Sequence, residues 1–154
     1  IAEKPTRTCC SLSDVEDARR VAHKMGFDHF VFNFGADFKD KVIDRFVDAY
    51  LRGETPNPCI DCNRYIKFSK LLHRARELEY DYIATGHYAR IEYDAARGRY
   101  LLKKAKDSRK DQTYVLYAMT QDELAHTLLP LGGLLKSEVP GHLLCARRRL
   151  CKVY

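Results

Sequence analysis

The sequence contains no apolar run close to the roughly 20 residues that a helix needs to span a bilayer. Its first residues, which include Glu3, Lys4, Pro5 and Arg7, resemble neither a signal peptide nor a transit helix. Internal repeats and low-complexity segments are also missing. We therefore expect a soluble protein of the cytoplasm, with an organelle as the alternative. Because the chain opens on Ile1 and not on methionine, we expect a piece of a larger protein.

The six cysteines come without a secretory signal, which argues against a disulfide scaffold and leaves metal binding or thiol chemistry. Cys59 and Cys62 form a Cys-x-x-Cys pair that could bind zinc, act as a redox pair or supply one nucleophile. A structural zinc site needs further ligands, and neither the adjacent Cys9 and Cys10 nor the tail cysteines offer comparable spacing. A thioredoxin-like pair would follow a strand. These arguments favour a positioned thiol, and a purely structural loop is the alternative.

The stretch at residues 55–68 surrounds this pair and combines two prolines with the start of a basic, amphipathic helix. Pro56 and Pro58 fix their own φ angles and bias the preceding residues toward extended backbone, which predicts a firmly shaped loop. Asn63 is the predicted N-cap of the helix that follows. Cys62 would then lie beside the positive end of that helix, where a thiol has more thiolate character.

Lysine and arginine exceed aspartate and glutamate by 27 to 21, which gives a formal net charge of +6. The excess is concentrated in residues 97–110 and 147–152. This pattern favours a polyanionic partner such as RNA, and solvated loops rich in basic residues are the alternative.

Hydrophobic periodicity predicts three helices, over residues 14–25, 38–52 and 64–79, and two buried strands, over residues 29–34 and 82–84. Alternating segments at 88–93 and 99–103 predict a hairpin, and a polar, charged loop follows at 106–110. A mostly helical region begins at Tyr114, and Thr120-x-x-Glu123 is a capping box for a helix that residues 130–133 would end. Helices that alternate with buried strands indicate an α/β fold.

The strand at residues 82–84 ends in Thr85-Gly86-His87. In open α/β sheets ligands lie beyond the carboxyl ends of the strands, and a glycine there lets a flat ring or a phosphate approach the backbone. Gly86 is therefore a candidate ligand contact, with a simple tight turn as the alternative. For His87 a hydrogen-bonded structural role is the commoner expectation.

Four strings of the sequence stand in a characteristic order. They read Gly-Glu-Thr-Pro-Asn-Pro-Cys-Ile-Asp-Cys-Asn-Arg-Tyr-Ile-Lys-Phe at 53–68, Asp-Tyr-Ile-Ala-Thr-Gly-His-Tyr-Ala-Arg at 81–90, Lys-Asp-Gln-Thr-Tyr-Val-Leu at 110–116, and Leu-Pro-Leu-Gly at 129–132 followed by Lys-Ser-Glu-Val at 136–139. Several long strings in sequence are far more specific than a lone Cys-x-x-Cys. Over roughly residues 9 to 139 the chain resembles the tRNA-specific 2-thiouridylases.

This resemblance implies an enzyme that transfers sulfur, in an ATP-dependent reaction with Mg²⁺, to C2 of the wobble uridine of tRNA. ATP adenylates the carbonyl oxygen, which is a poor leaving group, and a persulfide sulfur then replaces it. The implied fold is a partial adenine-nucleotide alpha-hydrolase-like (PP-loop ATPase) parallel-sheet domain with an added β-hairpin and a helical tRNA-contact region. The implied partners are tRNA and a sulfur-relay or cysteine desulfurase protein that donates the persulfide.

The resemblance also assigns roles to positions of this sequence. Cys62 matches the thiol that attacks the persulfide and forms a disulfide as sulfur is released. The other matching positions line the pocket for the target base (Asn57, Pro58, Cys59), contact ATP (Gly86) or contact tRNA (Lys110, Asp111, Gln112). Because some members have an acidic residue at the place of Cys59, its thiol is not expected to be essential.

Two features of the family are missing from these 154 residues. The Ser-Gly-Gly-x-Asp-Ser loop that cradles ATP phosphates does not occur, nor does the Ser-Gln-x-Ile-Cys-Phe string with the second cysteine. Cys145 and Cys151 are therefore not assigned as persulfide carriers, and the chain alone is expected not to thiolate tRNA. The alternative function is a non-catalytic RNA-binding module or a zinc-binding Cys-x-x-Cys module.

The predicted division has three parts. Residues 1–105 form a partial nucleotide-binding domain, and residues 106–139 form a tRNA-contacting helical region. Residues 140–154, which lack a clear amphipathic period, are an atypical tail without a core element.

Overall fold

The computed structural model describes residues 12–140, and its first element is helix α1, Leu12–Met25. Gly26 ends the helix at φ +75, and the N–H of Phe27 donates to the carbonyl of Ala22 at 3.0 Å. This is the hydrogen bond of a left-handed glycine cap. The helix predicted over residues 14–25 is confirmed. It belongs to the first of two compact units, which ends at Phe34.

The buried strand predicted over residues 29–34 is wrong. These residues form no regular element and pair with no strand in the described part of the chain, and the side chains of Phe30 and Val31 are exposed by 49% and 66%. The rings of Phe30, Phe32 and Phe34 stack on one another along one side. A strand needs a hydrogen-bonded neighbour, which no local run of Phe and Val can supply.

The second unit begins with two helices. Helix α2 occupies residues 35–51 as α-helix Gly35–Phe38, π-helix Lys39–Asp44 and α-helix Arg45–Leu51. Helix α3 occupies residues 58–77 as α-helix Pro58–Asp61, π-helix Cys62–Lys70 and α-helix Leu71–Glu77. Ion pairs join the two, Lys70 with Asp37 at 3.0 Å and Arg45 with Asp61 at 3.3 Å. Both predicted helices form, but α3 begins six residues before the predicted start.

Strands β1, Ile83–Ala84, and β4, Thr127–Leu128, pair in parallel, with Ile83 opposite Thr127. The sequence predicts β1 but not β4, because two residues carry no periodicity of their own. Between the two strands the helical region expected from Tyr114 shrinks to one 3₁₀ turn, Thr113–Val115.

The predicted capping box forms at helix α4, Gln121–Ala125, where Thr120 and Glu123 exchange hydrogen bonds. The helix ends at Ala125 and not at the expected residues 130–133. The helix ends before these residues because Thr127 and Leu128 pair with β1 as strand β4.

The hairpin consists of β2, Ala89–Asp94, and β3, Arg99–Lys104, as predicted. Gly98 has φ +60 in the turn, and the Asp94 carboxylate accepts hydrogen bonds from the N–H groups of Ala96 and Arg97 at 3.0 and 3.2 Å. These are the local interactions that the turn residues lead one to expect.

The core of the second unit lies where α3 packs on β1, the hairpin and the 3₁₀ turn, and its buried members are Phe68, Leu72, Ala75, Ile83, Ala89, Val115 and Leu116. A smaller cluster joins Tyr88, Ala105 and Val139. Among residues 12–140 no helix is long and apolar enough to cross a membrane. The predicted atypical tail falls, after Pro140, outside the described residues, and the division at residue 105 stays a prediction.

Candidate functional site

Asn57 caps the helix that carries the two cysteines. It has extended backbone at φ −111 and ψ 102, and its Oδ1 accepts a hydrogen bond from the N–H of Cys59 at 3.0 Å. Pro58 takes the first helical position, where its missing N–H costs nothing and its fixed φ suits the helix. The predicted cap at Asn63 and the predicted non-helical loop up to residue 62 are therefore wrong.

This shift of the helix start changes the setting of both thiols. Cys59 is exposed in the first turn, whereas Cys62 is half-buried one turn further along. The argument that placed Cys62 at the positive end of the helix does not hold, because the dipole acts within the first turn. Neither cysteine forms a disulfide within residues 12–140.

Asn63 fastens the cysteine helix to the next part of the site. Its side chain is buried, and Nδ2 donates to the carbonyl of Val115 at 3.2 Å. The helix start Pro58–Asp61 also contacts the 3₁₀ turn Thr113–Val115. Segments more than fifty residues apart in sequence are thereby brought to one place.

Gln112 joins this turn to the chain beyond Gly86. The backbone N–H of Gln112 donates to the carbonyl of Tyr88, and its side-chain Oε1 accepts from the N–H of Tyr88, both at 2.9 Å. Gln112 thus pairs with Tyr88 as a neighbouring strand would. Tyr88 was not singled out from the sequence.

The three predicted tRNA contacts differ in what their side chains do. The carboxylate of Asp111 accepts from the N–H of Ala105 at 2.8 Å and from the hydroxyl of Thr113. Burial raises the pKa of Asp111, but these hydrogen bonds outweigh it and hold the pKa below its usual value. The side chains of Asp111 and Gln112 therefore have internal partners, and the Lys110 side chain is exposed.

The fourth string packs against the second. Gly132 lies so close to the hairpin start that a Cβ built on it would be 1.7 Å from the carbonyl oxygen of Ala89. The carbonyl of Gly132 in turn accepts from the N–H of Lys106 at 2.9 Å. The four strings are thus linked: the first contacts the third, and the third and fourth contact residues 88 and 89 of the second.

Asp107 is a buried carboxylate that the sequence analysis missed within the charged loop at 106–110. It accepts hydrogen bonds from the N–H of Lys136 at 3.0 Å and from that of Arg109 at 3.2 Å. The Lys136 N–H is the main reason that the pKa of Asp107 is lowered. The sequence does contain a signal for this role: Asp107 is the one acidic residue of the segment 106–110, and short polar side chains commonly accept hydrogen bonds from loop N–H groups.

Gly86 is exposed just after β1, and a Cβ there would meet only Leu131 Cδ1, at 3.7 Å. The backbone at Gly86 is therefore open to solvent, and its predicted contact with ATP stays a prediction. Beside it, Nδ1 of His87 lies 2.9 Å from the Thr85 hydroxyl, and the ring is 5.9 Å from that of Phe68. Burial, and secondarily the charge of Lys67, lower the pKa of His87 to about 4. The imidazole is thus neutral at pH 7.

Comparison with known proteins gives the family. Residues 1–148 match the family described as the tRNA methyl transferase HUP domain. The chain belongs to this family. The predicted fold class, an α/β domain of the PP-loop ATPase type with a parallel sheet and an antiparallel hairpin, is confirmed.

Three curated relatives of this HUP domain are named as tRNA-specific 2-thiouridylases. The chain is 64% identical over 131 residues to tRNA-specific 2-thiouridylase MnmA 1 of Thermoanaerobacter sp. (strain X514), which covers 85% of the chain and 36% of the relative. It is 57% identical over 136 residues to MnmA of Pelotomaculum thermopropionicum, covering 88% and 37%. It is 60% identical over 131 residues to MnmA of Clostridioides difficile, covering 85% and 36%. The chain thus spans little more than a third of these relatives.

A zinc-binding module would need further metal ligands near Cys59 and Cys62. Within the described residues no group of three or more His, Cys, Asp or Glu side chains is arranged to hold a metal ion.

Acid should destabilise this HUP domain through His87. Its pKa is about 4 when folded and near 6.5 when unfolded, so the unfolded chain binds more protons between these values. Stability contributed by the neutral ring is complete above pH 6.5 and lost as the pH falls toward 4. After a discount for part exposure we expect a loss of about 1–2 kcal/mol. Urea unfolding across this range should show a shallower pH dependence in His87→Gln, and an unchanged slope would contradict the assignment.

Gln112 and Lys110 should separate structure from RNA contact. Gln112→Ala leaves the N–H of Tyr88 without its acceptor and should cost about 1–2 kcal/mol in unfolding experiments. Gln112→Glu keeps an acceptor oxygen and is the matched control.

Lys110→Ala should change the free energy of unfolding by less than about 0.5 kcal/mol. It should weaken tRNA binding, and the loss of affinity should be larger at low salt than at high salt. Reduced tRNA affinity in Gln112→Ala at full stability would show that its side chain contacts RNA directly.

Proposed function

We propose that the chain provides the thiol, the target-base pocket and the nucleotide contact of an enzyme that 2-thiolates the wobble uridine of tRNA. The 57–64% identity to proteins named as tRNA-specific 2-thiouridylases supports sulfur transfer. The family description names methyl transfer instead. The half-buried thiol of Cys62, one turn beyond the capped helix start, suits sulfur chemistry and favours thiolation over methyl transfer.

The linkage of the four strings supports this proposal most. The helix start at Asn57 packs on the turn that follows Gln112, and Gln112 holds the backbone of Tyr88, two residues beyond Gly86. The fourth string closes the arrangement through Gly132. Residues proposed for target base, tRNA and ATP therefore belong to one connected structure.

In this proposal Cys62 is the attacking thiol. Its thiolate attacks the inner sulfur of a persulfide on a second cysteine, so that a disulfide forms and the outer sulfur leaves with the bonding electron pair. That sulfur then replaces the oxygen at C2 of the uridine. Asn57, Pro58 and Cys59 wall the pocket for the flipped base, and their rigid, capped backbone keeps the pocket shaped before the base enters.

The remaining roles concern ATP and tRNA. ATP, with Mg²⁺, would supply the activation that turns the C2 oxygen into a leaving group, and the open backbone at Gly86 would admit its adenine. Lys110 would contact a tRNA phosphate, while Asp111 and Gln112 would keep that segment in shape. The persulfide would come from a sulfur-relay or cysteine desulfurase protein in the cytoplasm.

A graft tests this function. Residues 12–140 replace the matching part of a complete 2-thiouridylase, and the product receives ATP, a persulfide donor and tRNA. Nucleoside mass spectrometry should find 2-thiouridine at the wobble position, and the ungrafted chain should yield none. In a parallel reaction supplied with a methyl donor, a methylated nucleoside would instead support the activity in the family description. Absence of thiolation with zinc bound stoichiometrically through Cys59 and Cys62 would support the zinc module.

A further inference from the structure

A groove of about 420 Å³ lies between the hairpin and strand β4, and its lining includes Tyr82, Arg90 and Leu129 from the strings described above. One wall is strand β2 with Arg90 and Ile91, and the other is strand β4 with Thr127 and Leu128. Neither strand has a further partner on this side within the described sheets, since β2 pairs only with β3 and β4 only with β1. A groove of this size can hold one flat ring with its sugar.

Two tyrosines flank the groove. Tyr82, just before β1, is 55% exposed. Tyr100 on β3 is half-buried, and its ring centroid lies 5.0 Å from that of Tyr93, which is 55% exposed. Gln121 holds Tyr100 in place, because its Oε1 accepts from the Tyr100 N–H at 2.8 Å and its Nε2 donates to the Tyr100 carbonyl at 3.0 Å. The backbone of Tyr100 is therefore fixed beside the groove.

The lining also contains an unpartnered polar atom. Thr127 is only 3% exposed, and its hydroxyl oxygen is buried with no hydrogen-bond partner in the described structure. Buried hydroxyls nearly always have a partner. Leu124 and Leu129 also line the groove. Their apolar side chains suit the face of a flat ring, and the hydroxyl of Thr127 suits a polar atom at its edge.

The charge around the groove favours a polyanion. Both acidic residues of the hairpin have a cationic partner: Glu92, which lines the groove, pairs with Lys103 at 2.6 Å, and Asp94 pairs with Arg97 at 2.8 Å. Arg90, Arg99 and Lys104 form no ion pair within residues 12–140 and are exposed. Nε of Arg90, a residue of the groove lining, donates to the carbonyl of Lys104 at 2.9 Å, which restrains its side chain.

We propose that this groove binds an unpaired nucleotide of the RNA substrate outside the target base, with the base against Tyr82 and Tyr100 and the phosphate at Arg90. The inference rests on the proposed function, because it takes RNA as the substrate. Base stacking on aromatic rings with cations along the backbone is how proteins bind single-stranded RNA. The unpartnered hydroxyl of Thr127 would meet a polar edge of the base.

The test measures binding of an unmodified anticodon stem-loop RNA to the 154-residue chain. Tyr100→Leu and Tyr82→Leu should each weaken binding by roughly five- to a hundredfold, as expected for one lost stacking contact. Tyr100→Phe keeps the ring and should bind as the unmodified chain does. Tyr50→Leu removes a tyrosine of helix α2 that is 68% exposed outside the groove and serves as the matched control.

The outcomes separate this inference from the function above. Unchanged RNA affinity in Tyr100→Leu, or no RNA binding by the unmodified chain, overturns the groove proposal. So does weakened binding of ATP alone in Tyr100→Leu with unchanged RNA affinity. If a longer protein covers the groove with its own polypeptide, Tyr100→Leu lowers the melting temperature of that protein but not its RNA affinity, which also contradicts the inference. Thiolation by the graft with unchanged KM for tRNA in Tyr100→Leu would leave the function standing and the groove refuted.

Discussion

Gly132→Ala should destabilise the second unit by on the order of 4 kcal/mol or more. An added Cβ would lie 1.7 Å from the carbonyl oxygen of Ala89, 2.5 Å from its carbonyl carbon and 3.0 Å from Cγ of Arg90. Ala89 is fully buried in the core and cannot move aside without its strand. Because the obstacle is backbone and not the end of a flexible side chain, no rotamer change can relieve the clash.

The neighbouring residue is the control for this prediction. A Cβ on Gly133 would meet nothing within 4 Å, and Gly133 is not among the glycines at positive φ. Gly133→Ala should therefore change the free energy of unfolding by less than about 1 kcal/mol. Thermal and urea unfolding of the two variants decide the matter. Equal melting temperatures would mean that the contact between Gly132 and Ala89 is not as the structure has it.

Cys62→Ser should lower the rate of tRNA thiolation by the graft by at least about a thousandfold, as loss of a nucleophile does. A serine hydroxyl at this place has nearly the same size, so the fold and tRNA affinity should be retained. The rate is measured as 2-thiouridine formed per enzyme at saturating tRNA. Loss of kcat with unchanged KM is the pattern expected for a group that acts in the chemical step.

Cys59→Ser is the matched control, three residues away in the same helix start. Its thiol is exposed, and the proposal gives it a place in the pocket wall and no bond-making role. The variant should keep its rate within about tenfold. If Cys59→Ser lost activity as completely as Cys62→Ser, the two thiols would act as a pair, and the division of roles between them would be wrong.

What the sequence predicted correctly depends on local signals. The hairpin follows from alternation around a turn, α1 from its periodicity and Gly26, and the capping box from Thr120 and Glu123. Each interaction joins residues close in sequence, so a single segment contains the information. The hairpin and the capping box also form as predicted at the level of hydrogen bonds.

The errors arise where a distant segment decides. Residues 29–34 have strand composition but pair with no strand among residues 12–140, and β4 forms from two residues because β1 lies alongside. At the helix start, Asn57 and Asn63 have the same capping chemistry. Pro58 at the first helical position settled the choice for Asn57, and burial against Val115 drew Asn63 inside.

The candidate site shows the same division. The residue strings could be read from the sequence, but the contacts that link them could not. These depend on Gln112 acting as a strand partner and on a glycine that lets two backbones touch. The internal hydrogen bonds of Asp111 likewise needed the position of Ala105, which only the folded chain supplies.

The most direct test of Cys62 as the attacking thiol is the state of its sulfur during a single turnover. The graft reacts with ATP, tRNA and a persulfide-loaded second cysteine without reductant, and free thiols are alkylated before mass spectrometry. We predict that Cys62 becomes disulfide-linked to the second cysteine in proportion to the 2-thiouridine formed, while Cys59 is alkylated. Cys62 that stays fully alkylated while 2-thiouridine accumulates would contradict the account.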